Sequence, residues 1–503
     1  MTQPIDVGTR AQLFIDHRFI DRKQNLQLNV NPPAKLSEPV IKCDRPWEKF
    51  GITYHSVVEE DGLFRMWYQA VPNPFWWTDE SRICYAESND GKTWSKPSLG
   101  LVEYDGSNKN NILIEGGIEC RLAYVFRDAH DPDETRRYKM LYGYGHTRIR
   151  TSSDGIEWSE PGKLVWDFRY DTPKQAWWDE ELQRYVIHVR GRIEKTSSDP
   201  SVLSFPFVDP VASEPEVVNP KLYRWNRTLS RVETDDITKP WPIENCRTVL
   251  CGDEQDPPDS DIYHPGGVYK YPYADDAYFM FPWVYEQWND SPHPNDGVIN
   301  AQFAASRDGW HWMRYDRKPF IPRGSEGEFD FGCSEPVGPF FRENNELFQY
   351  YTGWKWTHGS KRFEEHEAEA ENPENWGWKE IRLNRYRLDG FVSVDAKSTG
   401  RLVTPPLKTD GNFLELNIAI REGGSARVGL LQEDGSVISG YTTDECEPIR
   451  ADSVRCSVRW QLKTDLGTLI QSPIRLKIDL EDAKLYAFHF HRFDHKKLNQ
   501  RNS

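Results

Sequence analysis

The stretch Ser88-Asn-Asp-Gly-Lys-Thr-Trp94 decides the fold, because its pattern S-x-D-G-x-x-W recurs along the chain. The pattern is complete at Ser152–Trp158 and at Ser306–Trp312, and degenerate copies stand at Thr234–Trp241 and Arg387–Phe391. In such a pattern the Asp side chain caps a tight β-turn, Gly takes the positive φ that the turn needs, and Trp packs back under the hairpin. The repeat therefore predicts a structural turn, once per unit, and not a set of catalytic residues.

Strands of alternating apolar residues precede each copy of the turn. One strand recurs upstream of each copy, separated from the turn by a further strand, and its five examples are Phe64–Tyr68, Tyr138–Tyr142, Tyr185–Val189, Tyr278–Phe281 and Leu347–Tyr351. A polar hairpin tip often precedes this strand, and another apolar run precedes the tip. Five units of four antiparallel strands predict a five-bladed β-propeller over residues 1–395, with the early strand Ala11–Asp16 as the strand that closes the ring.

The pattern changes near Asp395. Residues 396–495 lose the Trp density and the repeated turn, and they alternate in strands separated by turns such as Thr409–Asn412 and Glu433–Gly435. This alternation predicts a small antiparallel β-sandwich, and the polar tail 496–503 is expected to be frayed. The chain is thus expected to be all-β, with a propeller domain and a C-terminal β-sandwich.

Composition and charge exclude several classes of protein. Aromatic residues make up 13% of the 503 residues, which favours strands over helices, and the net charge of −16 argues against non-specific binding to nucleic acid or to an anionic membrane surface. No apolar run is long enough to span a membrane, and the first residues show no secretory signal, so we expect a cytoplasmic protein. The eight cysteines contain no C-x-x-C pair and are expected to be reduced.

Acidic residues recur near the predicted starts of the innermost strands. These strands run parallel around the central channel of a propeller, so their starts converge at one end of it. The acids at these positions are Glu48, Glu119, Asp171, Asp261 and Glu335. Converging carboxylates repel one another, so some must be protonated or neutralised by a cation. This arrangement suits general acid and base work on a sugar, although any one of these acids could equally cap a turn. Asp171, Asp261, Glu335 and Glu48 are the candidate catalytic residues.

Aromatic and polar residues near the same rim are candidates for substrate contact. They are Tyr54, His55, Arg127, Asp128, Trp177, His264, Trp354 and His358. A flat aromatic face suits the C–H side of a sugar ring, and polar neighbours hold its hydroxyl groups. The alternative for each is packing between blades, and Asp128 could equally begin an acidic turn that ends near Glu134. The histidine spacing is not a metal motif, so no metal ligands are predicted.

The whole chain, over about residues 10–495, resembles the bacterial group known as glycosyl hydrolase family 32 N-terminal-like proteins. More broadly it resembles the five-bladed propeller glycoside hydrolases of families 32, 43 and 117. The matching phrases are Phe64–Tyr68, Ser98–Gly106, Arg137–Met140, Asp261–Tyr263, Pro319–Pro322 and Leu485–Phe490.

The resemblance implies a pocket of three acids that act as nucleophile or base, stabiliser and proton donor. The family 32 signature W-M-N-D-P-N is absent, and Arg127-Asp128 is followed by Ala129 where that family has proline. Ser334-Glu335-Pro336 resembles the proton-donor region of family 43, which makes Glu335 the preferred general acid.

The sequence therefore predicts a glycoside hydrolase, exo-acting on an oligo- or polysaccharide. Two alternatives stay open: a polysaccharide lyase with a His/Tyr base (His264 with Tyr263, or His55 with Tyr54), and a non-catalytic sugar-binding propeller. The expected partner is a carbohydrate, with no nucleic acid and no membrane, and a homo-oligomer is left open. No cofactor is expected, and a structural or channel ion such as calcium is compatible with the acidic rim.

Overall fold

The computed structural model describes residues 3–73, 80–117, 121–160, 162–167, 172–194, 225–274, 276–291, 296–359, 371–461 and 463–492. Over these ranges the chain is all-β. Its helical segments there are short 3-10 turns at Pro46–Glu48, Glu134–Arg136, Ile243–Asn245, Pro373–Asn375 and Gly467–Gln471. In these ranges no helix has the length and apolar character needed to cross a membrane.

Five short strands lie near the N terminus and join sheets that are completed much later in the chain. They are β1 (Ile5–Asp6), β2 (Gln12–Leu13), β3 (Arg22–Gln24), β4 (Gln27–Val30) and β5 (Ala34–Lys35).

Four four-stranded antiparallel sheets follow, in a propeller-like arrangement. Blade 1 contains β6 (Gly51–Glu60), β7 (Leu63–Val71), β8 (Arg82–Ser88) and β9 (Ile112–Ile114). Blade 2 contains β10 (Tyr124–Arg127), β11 (Tyr138–Tyr142), β12 (Thr147–Ser152) and β13 (Lys163–Trp166). Blade 3 contains β14 (Gln175–Asp179), β15 (Arg184–Glu194), β16 (Trp225–Thr234) and β17 (Arg247–Leu250).

Blade 4 is interrupted along its length. The strands of this region are β18 (Ser260–His264), β19 (Val268–Lys270), β20 (Tyr278–Met280), β21 (Trp283–Gln287), β22 (Gly297–Ala301), β23 (Ala304–Ser306) and β24 (Trp312–Arg314). β19, β20, β23 and β24 form the four-stranded sheet, while β18, β21 and β22 form a second part in which β22 pairs in parallel with the next strand, β25 (Cys333–Pro336).

A further unit follows blade 4 and contains β25, β26 (Phe341–Glu343), β27 (Glu346–Trp354) and β28 (Lys379–Arg387). β25 and β26 both pair with β27, β27 pairs with β28, and β28 pairs with the N-terminal strand β5. The outer strand of this unit is therefore β5, whereas Gln12 and Leu13 of the predicted closing strand pair elsewhere, with Phe488 and Ala487. That expectation about residues 11–16 was wrong, because β5 occupies the edge of β28, while Leu13 and Ile15 are buried in an apolar cluster with Phe279 and Ala487.

The C-terminal strands form a nine-stranded sheet with β1 to β4. They are β29 (Val392–Val403), β30 (Leu407–Lys408), β31 (Phe413–Gln432), β32 (Ser453–Ser457) and β33 (Ile474–His491). The pairing of β31 with β33 changes register between Ile420 and Ser425, so these long strands bend there. Their inward residues form a buried apolar core that includes Phe14 and Phe19 from the N-terminal segment.

The repeated turn has the predicted geometry in its three complete copies. In the first, the Asp90 carboxylate accepts hydrogen bonds from the backbone N–H groups of Lys92 at 2.8 Å and Thr93 at 2.7 Å. The backbone φ of the turn glycines is +68° at Gly91, +79° at Gly155 and +71° at Gly309. The structural interpretation of the pattern is confirmed.

Each complete turn also docks on a neighbouring sheet. The carbonyl of Gly155, in blade 2, accepts a hydrogen bond of 2.7 Å from the indole of Trp67 in blade 1. The carbonyl of Gly309, in blade 4, accepts one of 3.0 Å from Arg231 in blade 3. The carbonyl of Gly91, in blade 1, accepts one of 2.5 Å from Tyr350 in β27. The turn thus links neighbouring sheets through a hydrogen bond to its glycine carbonyl.

We expect Gly155→Ala to destabilise the protein more than Gly62→Ala, as measured by urea unfolding. Both glycines have a φ of +79°, so both substitutions carry the same backbone strain. A Cβ at residue 155 would lie 2.6 Å from Cζ2 of Trp67, whereas one at residue 62 would meet no atom within 4 Å. The difference should be about 1–3 kcal/mol, the cost of overpacking a filled contact. Equal losses for the two variants would show that the docked turn adds nothing to stability.

Candidate active site

Two innermost strands are distorted at the same place, beside a buried group of aromatic rings. β6 changes register between Thr53 and Ser56, and β18 between Ile262 and His264, so Tyr54 and Tyr263 both lie on β-bulges. Tyr54 has a φ of +45°, a conformation that costs an aromatic residue about 1–3 kcal/mol. Bulges and strain of this kind are concentrated at functional sites, where they aim a side chain.

The distorted strands aim their tyrosines into one aromatic cluster. The cluster contains Tyr54, Tyr263, Trp283, Tyr285 and Trp354, and Leu122 and Cys333 pack with them. Tyr54 lies on β6, Tyr263 on β18 and Cys333 on β25, and Leu122 lies two residues before β10, so four strands or their flanking residues meet at this cluster. The cluster forms the wall against which the candidate acids lie.

Glu335, on β25, is a buried carboxylic acid with one satisfied oxygen. It is 1% exposed, and its Oε2 accepts a hydrogen bond of 2.8 Å from the indole of Trp354. Its Oε1 is buried and has no hydrogen-bond partner among the described residues. Burial raises the pKa of Glu335, while the charge of Lys379 and the Trp354 hydrogen bond act against that rise. The site therefore holds an acid that tends to keep its proton near neutral pH.

Lys379 lies over the ring of Trp354. It is 3% exposed, and its Nζ is 3.3 Å from the centroid of the Trp354 ring. Burial lowers the pKa of Lys379, and the charge of Glu335 opposes this. The acid and the amine both contact the indole, and the protonation state of each depends on the other.

Asp261, on β18, has a different environment. Its side chain is 22% exposed, and it accepts hydrogen bonds from the backbone N–H of Arg227 at 2.8 Å and from the Arg227 guanidinium at 3.0 Å. Burial raises the pKa of Asp261 above its ordinary value, and the charges of Arg227 and Arg190 oppose this rise without cancelling it. Arg190 is buried, and its guanidinium carbon lies 4.5 Å from the centre of the Tyr263 ring. Two arginines therefore favour an ionised Asp261.

His358 joins the two acids through the aromatic cluster. Its Nε2 is 3.1 Å from the hydroxyl of Tyr263, and its ring stacks 6.0 Å from the ring of Trp354. Contacts therefore run from Glu335 through Trp354, His358 and Tyr263 to Arg227, which binds Asp261. The structure brings these predicted residues, with Tyr54, into one site.

Glu48 is held in a separate ion pair. It is fully buried, and its carboxylate binds Lys96 at 2.6 Å and the Tyr68 hydroxyl at 2.5 Å. Burial raises the pKa of Glu48, and Lys96 opposes this rise. Its contacts lie within blade 1 and its flanking segments, not in the aromatic cluster, because the 3-10 turn Pro46–Glu48 directs the side chain towards the second strand.

Arg127 and Asp128 lie at the other end of their strand from Leu122. Arg127 binds Glu60, the last residue of β6, at 2.6 Å. Asp128 accepts a hydrogen bond of 2.6 Å from Tyr185 and lies 3.1 Å from Lys139. Asp128 also accepts from the backbone of the following turn, which is the alternative that the sequence left open. The structure does not bring this pair to the aromatic cluster.

Three other candidates are packed between sheets. His264 is fully buried, with one ring nitrogen on the Pro173 carbonyl at 2.9 Å and the other on the Gly266 N–H at 2.9 Å. Trp177 stacks on the ring of His188 at 5.3 Å. His55 is 2% exposed and lies 3.3 Å from the Thr352 hydroxyl. The described contacts of His264 and His55 are thus with groups other than the tyrosines predicted for a lyase, and Tyr263 contacts His358.

Asp171, the remaining catalytic candidate, and Glu119 lie outside the described residues. The sequence did not single out Lys379, Arg190 or Arg227. The signal for Lys379 was present, since it begins a strand of alternating apolar residues at an inward position. Arg190 and Arg227 lie on β15 and β16, and the segment between these strands has no counterpart in the other units. No repeated motif therefore marked the two arginines.

Comparison with known proteins gives relatives without an assigned function. No protein-family model matches the chain. The uncharacterized protein Rv1502 of Mycobacterium tuberculosis is 31% identical over 164 residues, which are 31% of this chain and 48% of that protein. A counterpart from a second strain of the same species, MT1551, is 30% identical over the same length. The chain thus spans about half the length of the curated relatives it matches.

Solved structures similar to this chain include glycoside hydrolases. A family 43 arabinoxylan arabinofuranohydrolase from Bacillus subtilis is 9% identical with a TM-score of 0.39, covering 89% of this chain and 96% of its own. A thermostable family 43 glycoside hydrolase is 13% identical with a TM-score of 0.38, covering 68% and 92%. An N-acetylgalactosamine deacetylase from F. plautii is 13% identical with a TM-score of 0.42, covering 72% and 96%.

We expect His55 to contribute to acid unfolding. Burial lowers its pKa from 6.5 to about 3. Between these two values the unfolded chain binds a proton that the folded chain does not, so stability falls as the pH falls. Replacement by Gln should reduce the slope of unfolding free energy against pH by about 1.4 kcal/mol per pH unit between pH 6 and 4. His311→Gln, at a histidine whose side chain is 92% exposed, is the control, and an unchanged slope for His55→Gln would contradict the prediction.

Proposed function

We propose that this protein is a glycoside hydrolase with a five-bladed propeller, in which Glu335 is the general acid. The observation that carries the proposal is the contrast between two carboxylates on one aromatic cluster. Glu335 is buried with an unbonded oxygen, and Asp261 is partly exposed and bound to arginine. Environments that separate the protonation states of two neighbouring acids are what acid and base roles require.

The unit β25–β28 with β5 is proposed as the fifth blade. Support comes from contacts around the ring: β6 contacts β10, β10 contacts β14, β16 contacts β18, β22 pairs with β25, and β28 contacts β6. The docking of the Gly91 turn on Tyr350 of β27 has the same form as the docking between blades 1 and 2. We likewise propose that the C-terminal sheet folds as a β-sandwich, because its long strands bend and enclose an apolar core.

In the proposed reaction, Glu335 donates its proton to the leaving glycosidic oxygen. A general acid must be protonated before the reaction, and burial favours that form of Glu335. Lys379 then stabilises the carboxylate that forms, because its charge is close and little screened. The Trp354 N–H holds Oε2, which leaves Oε1 for the substrate.

Asp261 is proposed as the ionised partner, and Asp171 is the second candidate for base or nucleophile. The Arg227 contacts keep Asp261 in place and oppose its protonation. An ionised carboxylate stabilises the positive charge that develops on the sugar ring, or activates a water molecule. Tyr54, Tyr263 and Trp354 would offer aromatic faces to the sugar ring.

A polysaccharide lyase is the second candidate, and one contact favours it. The Tyr263 hydroxyl lies 3.1 Å from His358 Nε2, a pair in which the imidazole can help the phenol to take or give a proton. Arg227 and Arg190 both stack near Tyr263, where they could neutralise the carboxylate of a uronate. The product distinguishes the two reactions, since a lyase forms an unsaturated ring and a hydrolase forms reducing ends alone.

We expect Glu335→Gln to abolish the release of reducing ends from a panel of aryl-glycosides and plant or algal polysaccharides. The amide keeps the Trp354 hydrogen bond acceptor but has no acidic proton to donate. Glu343→Gln, at an exposed ion pair with Lys92, is the matched control and should keep full activity. An active Glu335→Gln enzyme would remove Glu335 from the proposal. Ultraviolet absorbance of an unsaturated ring would show that the reaction is an elimination and not a hydrolysis. If the parent protein forms no product, sugar binding without catalysis is the function that remains.

We expect Lys379→Met to shift the alkaline limb of the activity profile to higher pH. The charge of Lys379 lowers the pKa of Glu335, so its removal should raise that pKa and keep the acid protonated over a wider range. The measurement is kcat/KM against pH, with Lys92→Met as the control. A limb that stays in place, or moves to lower pH, would show that Glu335 does not set it.

A further inference from the structure

A second group of titratable residues lies on the C-terminal sheet, outside the aromatic cluster. His489 and His491 are two positions apart on β33, so they share one face of the sheet. Glu415 of β31 is the direct cross-strand partner of His489. One ligand atom from each of these three residues lies within 4.8 Å of the other two.

The tautomer of His489 is fixed by the N-terminal segment. Its Nε2 lies 2.7 Å from the carbonyl oxygen of Thr9, and a carbonyl can only accept, so Nε2 carries a hydrogen. In the neutral ring the lone pair is then on Nδ1, which faces Glu415 at 3.8 Å. A histidine whose outer nitrogen donates to a backbone carbonyl is the usual arrangement of a metal ligand.

The inner nitrogens of both histidines are buried and have no hydrogen-bond partner among the described residues. They lie 3.8 Å and 3.7 Å from the same oxygen of Glu415. These separations are too long for a direct hydrogen bond. They are close to the spacing of about 3.4 Å that two ligand atoms have around a tetrahedral ion with bonds near 2.1 Å. The distances between Glu415 and the two histidine nitrogens therefore fit a bound ion better than a shared proton.

We infer that Glu415, His489 and His491 form a binding site for a divalent transition-metal ion of the zinc type. Two imidazole nitrogens and one carboxylate oxygen suit zinc and its neighbours, whereas calcium and magnesium prefer oxygen ligands alone. The three side chains are 18–27% exposed, which gives an ion access and leaves a position for water. Because Thr9 orients His489, the bound ion would fasten the N-terminal segment to the C-terminal sheet.

The test is calorimetric titration of the metal-free full-length protein with Zn²⁺, with bound metal measured after dialysis. We expect one equivalent for the parent and an affinity at least about tenfold weaker for His489→Ala, His491→Ala and Glu415→Gln. His311→Ala, at an exposed histidine on blade 4, is the control and should bind like the parent. Zn²⁺ should raise the unfolding temperature of the parent and the control, and Mg²⁺ should not.

A spectroscopic arm separates this site from the cysteines. Cys456 lies on the neighbouring strand β32, opposite Leu416. Co²⁺ at the inferred site should give weak d–d bands without the intense thiolate band of a cysteine ligand. No stoichiometric Zn²⁺ binding, a thiolate band, or unchanged binding in the three variants would overturn the inference. If His489→Ala fails to fold, Glu415→Gln and His491→Gln, at partly exposed positions, decide the question. The glycosidase assay does not enter this test.

Discussion

The docking of a turn carbonyl on the neighbouring sheet is the contact on which the rest of the structure depends. A turn carbonyl in water gains little from a hydrogen bond, but these carbonyls are packed against rings or a guanidinium and would lose a partner if the sheets separated. The contact requires glycine for two reasons. The turn needs a positive φ, and Trp67 or Arg231 occupies the space that a side chain would fill. One sequence pattern therefore specifies both the end of a hairpin and the position of the next sheet.

Where the sheets dock in this way, their first strands lie close together, since β6 contacts β10 and β10 contacts β14. Their polar backbone groups and charged side chains are then crowded into one region, and burial decides their chemistry. Glu335 and Lys379 are both shifted towards their neutral forms by burial, while each favours the charged form of the other. The protonation state of each group therefore depends on the other, and this coupling is what the proposed general-acid role of Glu335 uses.

The repeat made the blade pattern predictable from the sequence, because Asp, Gly and Trp have separate and necessary roles in the turn. The site was predictable only in part. Glu335 and Asp261 were predicted because they stand near the starts of inner strands in the repeat, and Tyr54, Trp354 and His358 because they lie near the same rim. Glu48 and Asp128 stand at similar places, yet local geometry turns them to Lys96 and Tyr185. A one-residue change of register reverses the direction of a side chain, and no composition or spacing reports it.

The bulges at Tyr54 and Tyr263 explain why the site lies where it does. In a regular strand, neighbouring side chains alternate between the two faces, so a first strand could not present an unbroken polar or aromatic surface at its start. A bulge inserts an extra residue and re-aims it without ending the sheet. Here it places one tyrosine from each of two distant strands in the same cluster, with Trp354 and the Glu335 carboxyl beside them. The left-handed backbone of Tyr54 costs about 1–3 kcal/mol of stability. The strain accompanies the bulge that places this side chain in the aromatic cluster, so the surrounding packing has to hold the residue in that conformation.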